Sequence, residues 1–173
     1  MKKREITRNK ILQSGWSLFQ QKGYADTTSR EIAHHAGVAS GTVFSHFPSK
    51  LDILKVAMLQ QLDTIIAHAK QSDQQHSARL KLRHYASHLY QFYLSHREFS
   101  KELLGNLIWQ APFFQQQLEL FKSLLFSEQA YQPEKAALMM DSYFMTLLEG
   151  LNDPNSSVDS MLTTLSQKLK LIA

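Results

Sequence analysis

Between Val38 and Lys50 the chain reads VASGTVFSHFPSK, which brings two hydroxyl-rich turns, an imidazole, a glycine and a lysine close together. Residues of these types bind a polyanion more readily than they transform a substrate. Thr42, Ser45 and His46 carry short hydrogen-bonding side chains that suit a helix pressed into the major groove of a duplex. Gly41, in the first turn of that helix, lets the backbone amides come close to a phosphate, and Ser40 adds a hydroxyl beside it. Lys50 opens the following helix, where a cation opposes the local dipole. Its placement therefore points to a second phosphate, the alternative being a solvated lysine that costs a few tenths of a kcal/mol.

The other groups that could do chemistry do not converge. His34 and His35 are adjacent, so they lie on different helix faces. His84 and His88 have the i, i+4 spacing of two zinc ligands, yet they share a face with Lys81 and Gln91, away from the stripe of Leu82, Tyr85, Ala86, Leu89 and Phe92. The carboxylates are scattered, and there is no nucleophile elbow, phosphate-binding glycine loop or HExxH. Neither an enzyme nor a metal or other cofactor is expected. The chain has no cysteine, which removes disulfides and thiolate metal sites and suits a reducing cytoplasm.

The elements that position these residues read as helices. Ile11, Leu12, Gly15, Leu18 and Phe19 recur as one stripe of a 3.6-residue period ended by Gly23. TSRE at 28–31 is a capping box that starts a short helix running to Ala36, with Arg30 in its first turn. Gly37 turns the chain, and Ser40 is expected to cap a third helix over Gly41–Phe47, held down by Val43. After Pro48, Ser49 and Asp52 offer a further cap for a long helix through Leu51, Leu54, Met58, Leu62 and Ile66. KQSDQQHS at 70–77 reads as a loop, and further helices are expected at about 78–96, 98–109, 113–129, 134–151 and 156–172. No stretch sustains the alternation of a strand. The fold class is therefore all-α, with a helix-turn-helix unit over 1–50 and a larger helical unit over 51–173.

Charge divides along the same line. Residues 1–55 hold nine Lys/Arg against four Asp/Glu, whereas the rest holds ten against eleven, within a net charge of +4. A basic front third on a near-neutral body is the footprint of a nucleic-acid-binding module. No apolar run approaches the roughly 20 residues of a spanning helix, and ILQSGWSLFQQKGY interleaves polar residues where a signal peptide would be apolar. A cytoplasmic protein without membrane contact is expected.

The ordered set Gly23-Tyr24, Thr27-Thr28, Ile32-Ala33, Ala36-Gly37-Val38, Gly41-Thr42, His46-Phe47 and Lys50 resembles the DNA-binding domain of the TetR family of transcriptional regulators over about residues 5–60. The resemblance implies double-stranded DNA as partner and Thr28, Arg30, Ser40, Gly41, Thr42, Phe44, Ser45, His46 and Lys50 as the DNA-binding set. Arg30 stands where relatives can reach a guanine edge, a surface arginine or a phosphate contact being the alternatives. Phe44 stands where relatives usually carry tyrosine, so a phosphate-bonding hydroxyl is missing, and the ring is left as core or as a wall against the groove.

A relative of this kind carries a helical C-terminal domain that binds a small ligand and dimerises. The stripes Met140, Tyr143/Phe144, Leu147, Leu151 and Met161/Leu162, Leu165, Leu169, Ile172 supply material for a four-helix homodimer interface, with intramolecular core as the alternative. Tyr85, Leu89, Phe92, Trp109, Phe113, Phe114 and Tyr143 could line a cavity for a small apolar effector. The expectation is a homodimeric repressor with a palindromic operator. Its rivals are an all-α carrier or enzyme, and a DNA-binding regulator without an effector.

Overall fold

The computed structural model describes residues 3–107, 115–127 and 129–172. Among them the only regular elements are helices: α1 Lys3–Lys22, α2 Ser29–Ala36, α3 Ser40–His46, α4 Lys50–Gln71, α5 Ala78–Ser95, α6 Arg97–Leu107, α7 Gln115–Leu125, α8 Pro133–Asn152 and α9 Val158–Lys170. The chain divides into two compact units, Met1–Asp63 and Thr64–Ala173, and the division falls inside α4.

In the first unit α2 packs on both α1 and α3. Its core is Ile11, Leu12, Phe19, Ile32, Ala33, Val43, Phe47, Ile53, Leu54 and Met58, all buried. Gly15 marks a close approach of α1 to α4, because a Cβ there would stand 2.6 Å from Ile53 Cγ2. At the other glycine that matters, Gly37, φ is +66°, and the Val38 amide turns back to the Ala33 carbonyl at 2.9 Å. A left-handed residue at this point ends α2 and lets α3 leave at a new angle.

The expected capping box is present: the Glu31 amide donates to Thr28 Oγ1 at 3.2 Å and the Thr28 amide to Glu31 Oε2 at 2.8 Å. At the start of α4 the Asp52 amide donates to Ser49 Oγ at 3.2 Å, and the Ser49 hydroxyl donates in turn to Asp52 Oδ2 at 2.6 Å. Ser40, however, is not a cap. α3 begins one residue earlier, with Ala39 as N-cap and no side-chain bond to its first turn. The Ala39 carbonyl already accepts from the Thr42 amide at 2.9 Å, so helical bonding starts upstream of the hydroxyl.

In the second unit α5 is central, packing on α6, α7, α8 and α9, while α8 and α9 pair with each other. Pro133 stands at the start of α8, where a missing amide hydrogen costs nothing. Arg97, in the first turn of α6, closes the other end of α8 by donating to the Gly150 and Leu151 carbonyls, each at 2.8 Å. A buried ion pair, Lys81 Nζ to Asp73 Oδ2 at 3.0 Å, pins the 72–77 connection onto α5, and the Tyr85 hydroxyl donates to the same carboxylate oxygen at 3.1 Å. Asp73 is held below the usual carboxylate range: burial would raise it, but the Gln75 amide, Lys81 and Tyr85 together outweigh that.

The stripes offered for a dimer interface are mostly internal. Met140, Tyr143, Leu147 and Leu151 on α8, and Met161, Leu162, Leu165 and Leu169 on α9, are buried within the one chain, where α5, α8 and α9 cover one another. Apolar area is left open instead on the opposite side of α8, where Leu138 and Met145, seven residues apart, are each 53% exposed. Phe144 and Leu148 beside them are half-buried.

Candidate nucleic-acid interface

α3 is seven residues long, and its two faces are sharply different. Val43 and Phe47, one turn apart, are each 1% exposed and hold the helix on the core. Ser40, Gly41, Phe44 and Ser45 face solvent, with Thr42 and His46 half-buried at the edges. Phe44 is 53% exposed, which removes the core alternative and leaves the ring as an uncovered apolar surface beside hydrogen-bonding groups. Such a ring is suited to contact with a thymine methyl. A Cβ placed on Gly41 would meet nothing within 4 Å, so no neighbour within the described chain requires a glycine there. The Ser45 hydroxyl donates to the Thr42 carbonyl at 2.8 Å, which orients it along the helix.

The second helix contributes its N-terminal turn. Arg30 is exposed. Thr28 is exposed too, but its hydroxyl is committed to Glu31, so it frames the helix end. Glu31 is lowered from 4.5 to about 2 by hydrogen bonds from Lys22, then from the Thr28 side chain and backbone.

Lys50 is half-buried and already has partners: Nζ donates to the Tyr24 carbonyl at 2.6 Å and the Ala25 carbonyl at 3.3 Å, and lies 4.2 Å from the Tyr24 ring centroid. These carbonyls and the ring face offset the unfavourable position of a cation at a helix start. An ammonium has three hydrogens, and two are used here.

One contributor was missed from the sequence. Arg8 of α1 donates from Nη1 to the His46 carbonyl at 3.0 Å, and its guanidinium lies 4.1 Å over the Phe47 ring. The signal was available: Arg8 stands three, four and seven residues before Ile11, Leu12 and Gly15, which places a cation on the inward stripe of α1.

The residues proposed for an effector cavity separate into two groups. Trp109, Phe113 and Phe114 lie outside the described residues. Tyr85, Leu89, Phe92 and Tyr143 are all buried in the second unit. Tyr85 faces Asp73, whereas Tyr143 stacks on Tyr90 with ring centroids 5.1 Å apart. The Tyr143 hydroxyl is buried beside the Tyr93 hydroxyl, toward which it donates. Burial first, then the neighbouring Tyr93 and Tyr90, pushes it far above its usual 10, so it stays a neutral donor. Of the four, Phe92 borders an open groove of about 530 Å³ between the C-terminal half of α4 and α5, with Ile65, His68, His88 and His96. His84 and His88 sit ring to ring at 5.2 Å, but no cluster of three metal-ligating residues occurs among the described residues. None of the described helices is long and apolar enough to cross a membrane.

The profile of bacterial regulatory proteins of the tetR family matches residues 11–57. An HTH-type transcriptional regulator of Staphylococcus aureus strain MRSA252, SAR2658, is 29% identical over 125 residues, covering 67% of this chain and 68% of that protein. An HTH-type transcriptional regulator of Staphylococcus aureus strain USA300, SAUSA300_2515, is 26% identical over 141 residues, covering 78% of this chain and 76% of that protein. Among solved structures, a TetR regulator from Rhodococcus sp. RHA1 superposes with a TM-score of 0.79 at 18% identity, covering 99% of this chain and 97% of its own. The TetR-family repressor FadR of Thermus thermophilus, solved in complex with lauroyl-CoA, gives 0.73 at 20% identity over 95% of this chain and 92% of its own.

Proposed function

Because the chain belongs to the TetR family of transcriptional regulators and is a DNA-binding regulator, not an enzyme, we propose that it is an effector-responsive repressor that reads a palindromic operator as a homodimer. The observation that carries this reading is the outward face of α3, where Gly41, Phe44 and Ser45 are exposed on a helix pinned from behind by Val43 and Phe47. In it Thr42, Phe44, Ser45 and His46 meet base edges, Ser40 and Gly41 lie against a phosphate, and Lys50 gives its third hydrogen to another. Arg30 reaches a guanine or the adjoining backbone, and Thr28 sets the end of α2. Residues 1–50 act as the reading head and 51–173 as the regulatory part, in the cytoplasm where the DNA is.

A two-fold operator calls for two heads, with half-sites about 34–36 Å apart. The exposed row of α8 around Leu138 and Met145 is the surface offered to a second copy, since the stripes first considered are already covered. For the effector, the buried side chains of Tyr85, Leu89, Phe92 and Tyr143 supply apolar wall. Trp109, Phe113 and Phe114 complete the set. The lauroyl-CoA bound by the Thermus thermophilus neighbour makes acyl-CoA the first effector class to try.

The test is selection of duplexes from random DNA by the full-length protein, followed by titration of the selected site with Thr42→Ala and Ser45→Ala variants. Selection of an inverted repeat, with both variants weakened at defined base positions, supports the reading. Selection of no sequence overturns it. Release of the operator by an acyl-CoA or another apolar molecule separates the effector-responsive repressor from a regulator without an effector.

A further inference from the structure

α3 is too short to hold its own shape. A helix of seven residues has few internal hydrogen bonds against the cost of nucleation, so its geometry is set by its surroundings. Its N-cap, Ala39, gives no side-chain bond. Its C-terminal end is different: the carbonyl of His46, the last helical residue, accepts from Arg8, and the C-cap residue Phe47 lies under the same guanidinium. A cation at this end also complements the helix dipole. α1 therefore reaches across 38 positions of sequence to grip the last turn of α3.

We propose that Arg8 is a positioning residue for DNA reading: it fixes the rotation and depth of α3 by bonding the His46 carbonyl while stacking on Phe47, and it does not contact DNA. The inference rests on α3 being the reading helix. The side chains of Thr42, Ser45 and His46 leave the turns that this grip holds. A phosphate ligand would present its guanidinium fork to solvent, whereas here one ring face covers the plane and one nitrogen is committed to a carbonyl. Lysine reproduces the arrangement only in part: an ammonium can donate to a carbonyl beside a ring, as Lys50 does, but it has no plane to lay over Phe47 while an edge nitrogen reaches the His46 carbonyl. Base reading depends on placement to within about half an ångström. Non-specific binding depends on charge.

The two roles separate experimentally in the full-length protein. Arg8→Lys keeps the charge and Arg8→Gln removes it. Each is titrated against a duplex selected from random DNA and against a scrambled duplex, over a series of salt concentrations. Positioning predicts that both variants lose about tenfold on the selected duplex, that Arg8→Lys keeps its affinity for the scrambled one, and that neither changes the salt slope of specific binding. A slope reduced by about 0.9 in Arg8→Gln and restored in Arg8→Lys identifies a phosphate contact and overturns the proposal. Unchanged specific affinity in both variants overturns it equally. Thr42→Ala and Ser45→Ala run beside them: if these also leave specific affinity unchanged, the reading of α3 has failed, and the inference with it. Amide hydrogen exchange on the DNA-free protein gives a readout independent of any operator. Faster exchange over 42–47 in Arg8→Lys, with the exchange of α1 retained, supports the grip, and unchanged exchange overturns it.

Discussion

Replacing Leu138 and Met145 together by glutamate should convert a dimer into a folded monomer. Each residue is 53% exposed on α8. Full burial of a leucine or methionine side chain is worth about 1.5–3 kcal/mol, so covering the open half is worth about 1 kcal/mol. A two-fold interface counts each position twice, giving about 4 kcal/mol for the pair, or roughly a thousandfold in the dimer dissociation constant. A carboxylate left unpaired in the interface adds to this. The fold itself should survive, because both positions face solvent in the single chain and glutamate is a good helix former. The contrast is with Leu147→Ala and Leu165→Ala, both fully buried, which should lower stability by about 2–5 kcal/mol. Sedimentation from nanomolar to micromolar protein, paired with urea unfolding, distinguishes the outcomes. A double variant that dimerises as tightly as the parent would refute the assignment of this face, and loss of fold in it would refute the burial argument.

Lys50→Gln should lower the salt slope of DNA binding by about 0.9, so that between 50 and 200 mM salt the variant loses about 3.5-fold less affinity than the parent. An unchanged slope assigns the ammonium wholly to the Tyr24 and Ala25 carbonyls it already binds. Gly15→Ala should destabilise the first unit, because overpacking against Ile53 costs about 1–3 kcal/mol while alanine returns about 1 kcal/mol of helix propensity; urea unfolding checks it. Glu31 has a folded pKa lowered from 4.5 to about 2, so its contribution to stability is full above about pH 5 and is lost as pH falls toward 2. Glu31→Gln should flatten the dependence of the melting temperature on pH across that window, and an identical pH profile would show that the capping box carries no linkage.

The sequence by itself determined what is local. The capping box at Thr28–Glu31, the turn at Gly37, the start of α4 at Ser49–Asp52 and the all-helical class follow from hydrogen-bonding chemistry and periodicity within a few residues. Periodicity also divided α3 correctly at Val43, whose burial leaves its neighbours facing out. One local expectation failed at Ser40, because the Ala39 carbonyl opens the helix one residue earlier and leaves the hydroxyl nothing to cap. What tertiary structure decided is which partner each surface meets. An apolar stripe states that something will cover it, without stating what: the stripes of α8 and α9 are covered by α5 and by each other, which moves the open face to Leu138 and Met145. Phe44 could have been core or surface on its side-chain chemistry alone, and none of the described helices covers it. Polar groups behave likewise. Arg8 meets the His46 carbonyl, Lys50 the Tyr24 carbonyl and Tyr85 the Asp73 carboxylate across separations of 38, 26 and 12 residues. Periodicity is a property of the backbone within a turn or two, whereas the identity of a partner depends on how distant segments come to lie together, and that is settled only when the chain has folded.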